Sequence, residues 1–139
     1  ISGSALSSAA ERVQHIYENK PDLCTLDVTT MNYSDVAVTN TKAMLEKMAG
    51  LIQKIGVKIE MEVFDTGQLW QASDMCNRGI ITDPNPLFQL CLGIPWGGRA
   101  TMESMQLIKA STKNTREMIQ LLFREMRNLS RSTHFRIFF

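Results

Sequence analysis

Between Val57 and Phe64 the residues alternate strictly: Val57, Ile59, Met61 and Val63 fall on one side of an extended chain, and Lys58, Glu60 and Glu62 fall on the other. A period of two marks a β-strand with two unlike faces. The role of carboxyl groups on such a face depends on what that face meets. In an antiparallel sheet the charged face would simply be solvated. In a parallel sheet both faces are normally covered, and an unpaired carboxylate there is costly. Glu60 and Glu62 would then have to meet a polar cavity, with Glu62 and Asp65, nearer the C-terminal end of the strand, closest to a substrate.

A second group of polar residues, Asp27, Thr29, Thr30 and Asn32, follows the short apolar stretch that starts at Leu23. Its hydroxyl and amide groups suit a carboxylate or a ketone, although Thr and Asn after a strand are also ordinary turn formers. The segment Gly-Ile-Pro-Trp-Gly-Gly, from Gly93 to Gly98, is expected to be a loop. Its glycines allow close backbone approach to a ligand that Trp96 could cover, and they serve equally as plain turn punctuation. Ser2, Gly3 and Ser4 could form a small anion-binding turn. His15 and His134 make no HxH or HExxH pair, and Cys24, Cys76 and Cys91 make no CxxC, so no metal site assembles by a familiar spacing. Neither a Walker loop nor GxGxxG occurs.

The elements that must position these groups alternate in type. Ser8 to Glu11 is a capping box ahead of Ala9, Val13, Ile16 and Tyr17 at helical spacing, with Pro21 as the stop. Leu23 to Val28 reads as a strand and Thr29 to Asp35 as a polar loop. From Thr39 to Ile55, the residues Met44, Leu45, Met48, Leu51, Ile52 and Ile55 lie on one helical stripe that ends at Gly56. After the Val57–Phe64 strand, Asp65 or Thr66 can cap a helix carrying Leu69, Ala72, Ser73 and Cys76. Leu87 to Leu92 is the nearly continuous apolar run of a strand buried on both faces. Helices are expected at 101–109 and at 114–129, the second lined by Ile119, Leu122, Phe123 and Met126, and His134 to Phe139 reads as a further strand. This order implies right-handed βαβ units and a parallel sheet.

Composition excludes more than it selects. In 139 residues, 15 basic groups against 14 acidic ones give a net charge of +1, so no strong field draws nucleic acid or an anionic membrane. No apolar run reaches the roughly 20 residues of a membrane helix. Three widely spaced cysteines fit a reducing, cytoplasmic setting. The chain starts without methionine, inside what reads as structure, and is expected to be part of a longer protein.

Three segments together resemble the beta-keto acid cleavage family, whose best-known activity is cleavage of 3-keto-5-aminohexanoate: Leu26 to Tyr33 (LDVTTMNY), Glu60 to Gly67 (EMEVFDTG) and Gln89 to Gly98 (QLCLGIPWGG). The resemblance implies part of a (β/α)8 TIM barrel: about three to four consecutive βα units with parallel strands, residues 1–139 forming one partial domain, the N-terminal and C-terminal units absent, and 106–139 weakly matched. It implies a zinc-dependent acyl transfer from beta-keto acid and acetyl-CoA to acetoacetate and a new CoA thioester, with acetyl-CoA as co-substrate and a homo-oligomeric parent. By position, Ser2 and Ser4 fall near the family's substrate-carboxylate turn, and Thr30 and Asn32 at its substrate-contacting strand end. Glu60 or Glu62 falls on the strand that supplies an acid to the pocket, where it could hold a substrate amine. The family's zinc ligands, an HxH pair on an earlier strand and a Glu on a late one, and its catalytic Arg and Asp have no counterpart here. The chain is therefore expected to carry no metal or catalytic residue and not to turn over by itself. Thr29 stands where the family pattern leads one to expect glycine. The alternatives are a non-catalytic, degenerate paralogue serving in assembly, or a different TIM-barrel enzyme sharing only the fold.

Overall fold

The computed structural model describes residues 7–33, 35–111, 118–123 and 135–138. The first helix, α1 (Ala9–Asn19), opens on the expected capping box: the Ser8 hydroxyl accepts from the Glu11 amide, and the Glu11 carboxylate accepts from the Ser8 amide at 2.6 Å. It closes with Lys20 in the left-handed region. Ala9, Val13 and Ile16 are buried as their spacing predicts, but Tyr17 is 66% exposed, at the edge of the stripe. Arg12 is buried as well, and its guanidinium donates to the Thr39 carbonyl, which ties α1 to the approach of the next helix.

Strand β1 (Leu23–Asp27) leads into a segment whose polar residues predict a loop. The structure corrects this: β2 (Met31–Tyr33) and β3 (Val36–Val38) pair as a short antiparallel hairpin. Strands of three residues are too short for polar alternation to reveal them. Thr29 keeps a negative φ, so the position expected to be glycine does not require one.

Helix α2 (Lys42–Ile55) is capped by the Thr41 hydroxyl and ends at Gly56, whose φ of 82° suits glycine. Strand β4 (Lys58–Val63), helix α3 (Thr66–Asn77), strand β5 (Leu87–Leu92) and helix α4 (Met102–Ser111) follow in the expected order. The final segment departs from expectation. Met118–Phe123, placed in a helix by its periodicity, forms strand β6, and β7 (Phe135–Phe138) pairs with it antiparallel rather than parallel. An apolar run this short fits either period, and here pairing with β5 over the whole length of β6 decides it. The rest of the expected 114–129 helix lies outside the described residues.

Among the described residues the main sheet has the order β1-β4-β5-β6-β7, with β1, β4, β5 and β6 mutually parallel. Cys24, Leu26, Ile59, Met61, Val63, Phe88, Leu90 and Leu92 join one apolar core with Val13 and Ile16 of α1, Leu45, Met48 and Ile52 of α2, and Leu69, Ala72 and Met75 of α3. The helices therefore cover one face of the sheet, and Thr25, Asp27, Glu60, Glu62, Gln89 and Cys91 occupy the opposite face by alternation.

Asn40 joins these layers where β1 ends. Its side-chain amide donates to the carbonyls of Asp27 (2.9 Å) and Thr29 (3.0 Å), while its backbone amide donates to the Thr30 hydroxyl (2.9 Å). Replacing Asn40 with Ala takes the donor from two partly buried carbonyls, and we expect the full-length protein to lose about 1–3 kcal/mol of stability, read from the denaturant midpoint. A midpoint equal to that of the unsubstituted protein would contradict this bracing role.

Candidate functional site

The face of the sheet turned away from the helices carries a polar row. Parallel pairing sets Thr25 opposite Glu60, and one step further along it sets Asp27 opposite Glu62 and Glu62 opposite Gln89. Each row runs across neighbouring strands about 4.8 Å apart, so its side chains are within reach of one another. The Thr25 hydroxyl donates to Glu60 Oε1 at 3.4 Å. Gln89 Nε2 donates to Glu62 Oε1 at 3.0 Å and also lies 3.5 Å from Cys91 Sγ.

Two carboxyl groups adjoin in the second row. Burial, then the hydrogen bond and charge of Asp27, then the charge of Glu60 push the Glu62 carboxyl up to about 8. Two acids at directly paired cross-strand positions do not both ionise freely, so the Asp27–Glu62 pair has the chemistry of a proton-sharing dyad. Burial, then the negative charge of Glu62, pushes the neighbouring Cys91 thiol up to about 12, which leaves it a poor nucleophile at neutral pH.

The C-terminal ends of β1, β4 and β5 carry the remaining candidates. Asp65 caps α3, its Oδ1 accepting from the Gln68 amide at 2.9 Å, and the buried Gln68 side chain accepts from the Phe64 amide at 2.7 Å. That reciprocal pair fixes the turn at the end of β4. The loop after β5 is drawn onto the same place: the Gly98 amide donates to the Phe64 carbonyl at 2.6 Å, and the Gly93 amide donates to the Gly98 carbonyl at 2.8 Å. A Cβ on Gly98 would lie 2.9 Å from the Phe64 oxygen and 3.0 Å from Leu92 Cδ2, so the approach depends on glycine. Trp96 sits in this loop at φ 71° with 79% of its surface exposed. A bulky residue in that region bears strain of about 1 kcal/mol or more.

Thr30, Asn32, Asp65, Gln68, Gln71 and Trp96 line a cleft of about 370 Å³ at these strand ends. The Thr30 hydroxyl, suited by type to a ligand contact, accepts the Asn40 amide, and Asn32 is exposed. Glu60 and Glu62 lie along the polar face of β4, and neither lines this cleft. Ser2 and Ser4 lie outside the described residues. Sequence reasoning finds Asp27 only as part of a polar cluster and misses Gln89. The signals that could have found them are an acid within a strand, where Asp is disfavoured, and the single polar residue in the apolar run of β5.

Among the described residues no three His, Cys, Asp or Glu side chains gather to hold a metal ion, so these residues do not fit a zinc centre. Likewise, no described helix is long and apolar enough to cross a membrane.

A sequence model of the beta-keto acid cleavage enzyme family matches residues 1–130. This chain belongs to that family. It is 50% identical over 97 residues to the 3-dehydrocarnitine:acetyl-CoA trimethylamine transferase of Rhizobium meliloti (strain 1021), a match covering 68% of this chain and 32% of that protein. It is 31% identical over 102 residues to the 3-keto-5-aminohexanoate cleavage enzyme of Acetoanaerobium sticklandii, covering 73% of this chain and 37% of the relative. The chain thus spans about a third of the length of the family relatives it matches.

The Glu62 carboxyl makes a stability prediction. Its value in the folded protein is raised above the ordinary 4.5, so the protonated form favours the fold, and that contribution is lost as pH rises from about 4.5 through about 8. Glu62→Gln removes this dependence. The stability of the full-length variant relative to the unsubstituted protein should therefore improve progressively from pH 5 to pH 8 in thermal unfolding; a constant difference across that range would rule the effect out.

Proposed function

We propose that this chain is part of a (β/α)8 barrel and builds one wall of the substrate pocket of a cytoplasmic beta-keto acid cleavage enzyme. In the reaction the acyl group of the beta-keto acid passes to CoA, while the acetyl group of acetyl-CoA joins the released carboxymethyl unit to give acetoacetate. The polar Asp27–Glu62–Gln89 row, on a sheet whose other face is sealed by helices, carries this reading. In a barrel that face becomes the interior, and its C-terminal end opens to the ligand.

Both relatives are named for substrates that bear nitrogen, a trimethylamine group in one and a 5-amino group in the other. A partly buried acidic row complements a cationic substituent through charge-assisted contacts, and Glu62, with its Gln89 partner, is the residue assigned to it. Thr30 and Asn32 edge the cleft at the strand ends, where the keto and carboxylate oxygens would lie, and Ser2 and Ser4 would complete the carboxylate turn. Zinc, held by residues outside this chain, would supply Lewis-acid polarisation of those oxygens. The barrel would be completed by further βα units, in a homo-oligomeric parent.

Purified full-length protein should contain zinc and form acetoacetate from a beta-keto acid only when acetyl-CoA is present. A preparation with neither metal nor acetoacetate would overturn the reading. Glu62→Gln should lower kcat/KM for a substrate with a cationic substituent by about tenfold or more, the loss of one charged partner in a desolvated contact. The loss should be smaller for an uncharged analogue.

A further inference from the structure

We propose that Asp27 is a specificity-determining residue of this pocket: with Glu62 it holds one proton while the site is empty, and a cationic substituent displaces that proton on binding. The inference rests on the pocket reading above and adds to it a second acid and a proton-linked step.

The geometry places the two acids together by register. Asp27 is the last residue of β1, its Cα partner on β4 is Glu62, and both stand on the face turned from the helices. Cross-strand pairing brings the two carboxyl groups within reach of each other, and burial first, then the Asp27 carboxyl, pushes the Glu62 carboxyl up. Ionisable groups face the pair from each packed strand: Glu60 from β4 itself, with its Oε1 taken by Thr25, and the Cys91 thiol from β5. Gln89 of β5 supplies a neutral donor to Glu62. Asn40 holds the Asp27 carbonyl, which fixes the backbone at the end of β1. No described cation neutralises the row: Lys58, on the same strand, is bound to Asp83 and the Asn85 carbonyl. Two like charges in adjoining, partly buried positions cannot both ionise freely. The empty pair therefore carries about one negative charge, and a fixed positive charge between the carboxyls makes the doubly ionised state the favoured one. The balance is simple: one cation binds, one proton leaves to solvent, and no bond to carbon changes.

This arrangement selects cation over isostere more strongly than a single acid would, because the bound substituent meets two carboxylates. It also makes affinity depend on pH. Where the empty pair is protonated, binding must expel a proton, so KM for a cationic substrate falls about tenfold per pH unit and levels once the pH passes about 8.

The test uses the full-length protein with 3-dehydrocarnitine and its uncharged isostere 5,5-dimethyl-3-oxohexanoate, in which carbon replaces the quaternary nitrogen. For the unsubstituted enzyme, KM of the cation should fall with pH from 6 to 8 while KM of the isostere stays flat. Asp27→Asn keeps the size of the side chain and removes the competing charge. It should move the levelling of the slope to lower pH and cut the preference for the cation by about tenfold at pH 8.5; Asp27→Glu should restore the original profile. An Asp27→Asn enzyme with an unaltered KM profile, or with equal losses on both substrates, would overturn the proposal. Calorimetric titration of the unsubstituted protein with carnitine, in two buffers of different ionisation enthalpy, needs neither turnover nor a variant. Release of close to one proton at pH 7 supports the dyad, and binding with no proton released rejects it. Should the protein release the proton yet make no acetoacetate, the acyl-transfer reading fails and the dyad stands. Acetoacetate formed without proton release leaves the acyl-transfer reading standing and rejects the dyad.

Discussion

A parallel sheet covered on one side by helices leaves its strands a single workable register. The alignment that sets Leu26 beside Met61 and Met61 beside Phe88 in the core also sets Asp27 beside Glu62 and Glu62 beside Gln89 on the opposite face. A slip of one residue in β4 would expel Met61 and Val63 from the core and drive Glu60 and Glu62 beneath the helices. Burying a single large apolar side chain is worth about 1.5–3 kcal/mol, and several such residues line β4 and β5, so apolar burial dominates the choice. The two acids are not drawn together. The core forces them into proximity, and sharing a proton is how they tolerate it.

The ends of the strands are held by a different kind of interaction. At β1 the buried Asn40 takes the carbonyls of Asp27 and Thr29, and at β4 the Asp65–Gln68 pair satisfies the Gln68 amide in the first turn of α3 together with that of Phe64. Both devices satisfy backbone groups that would otherwise be stranded at the point where a strand leaves the sheet. The mouth of the site is therefore built on anchored backbone rather than on freely moving loops. By contrast, Lys58 and Asp83 form an ion pair at the opposite, N-terminal end of the sheet, about a third exposed, where such a pair adds little to stability.

How much of this was legible in the sequence follows from the range of each signal. The Ser8 cap, the α2 stripe, the alternation of β4 and the apolar run of β5 are local patterns, and each lies where its residues indicate. The β2–β3 hairpin and β6 were not legible: the hairpin strands are three residues long, and Met118–Phe123 satisfies helical and extended periods equally until β5 offers it a partner. Glu60 and Glu62 announced a special face through alternation alone. The pairing of Glu62 with Asp27 could not be read, because the two are 35 positions apart and only the cross-strand register relates them. The Thr30 hydroxyl accepts the Asn40 amide, a link between positions ten apart that no local pattern announces.

The contact between the Gly98 amide and the Phe64 carbonyl gives the loop after β5 a tether at its far end, with the Gly93 amide closing it from the other. A loop pinned at both ends has a set chain length: an added or deleted residue between them must break one of these bonds, and any side chain at position 98 must displace the end of β4. Variation in this family member's loop is thus channelled away from length and toward the outward-pointing Trp96. Reshaping the cleft beside this loop is, for this fold, a matter of exchanging one exposed side chain on a rigid bracket.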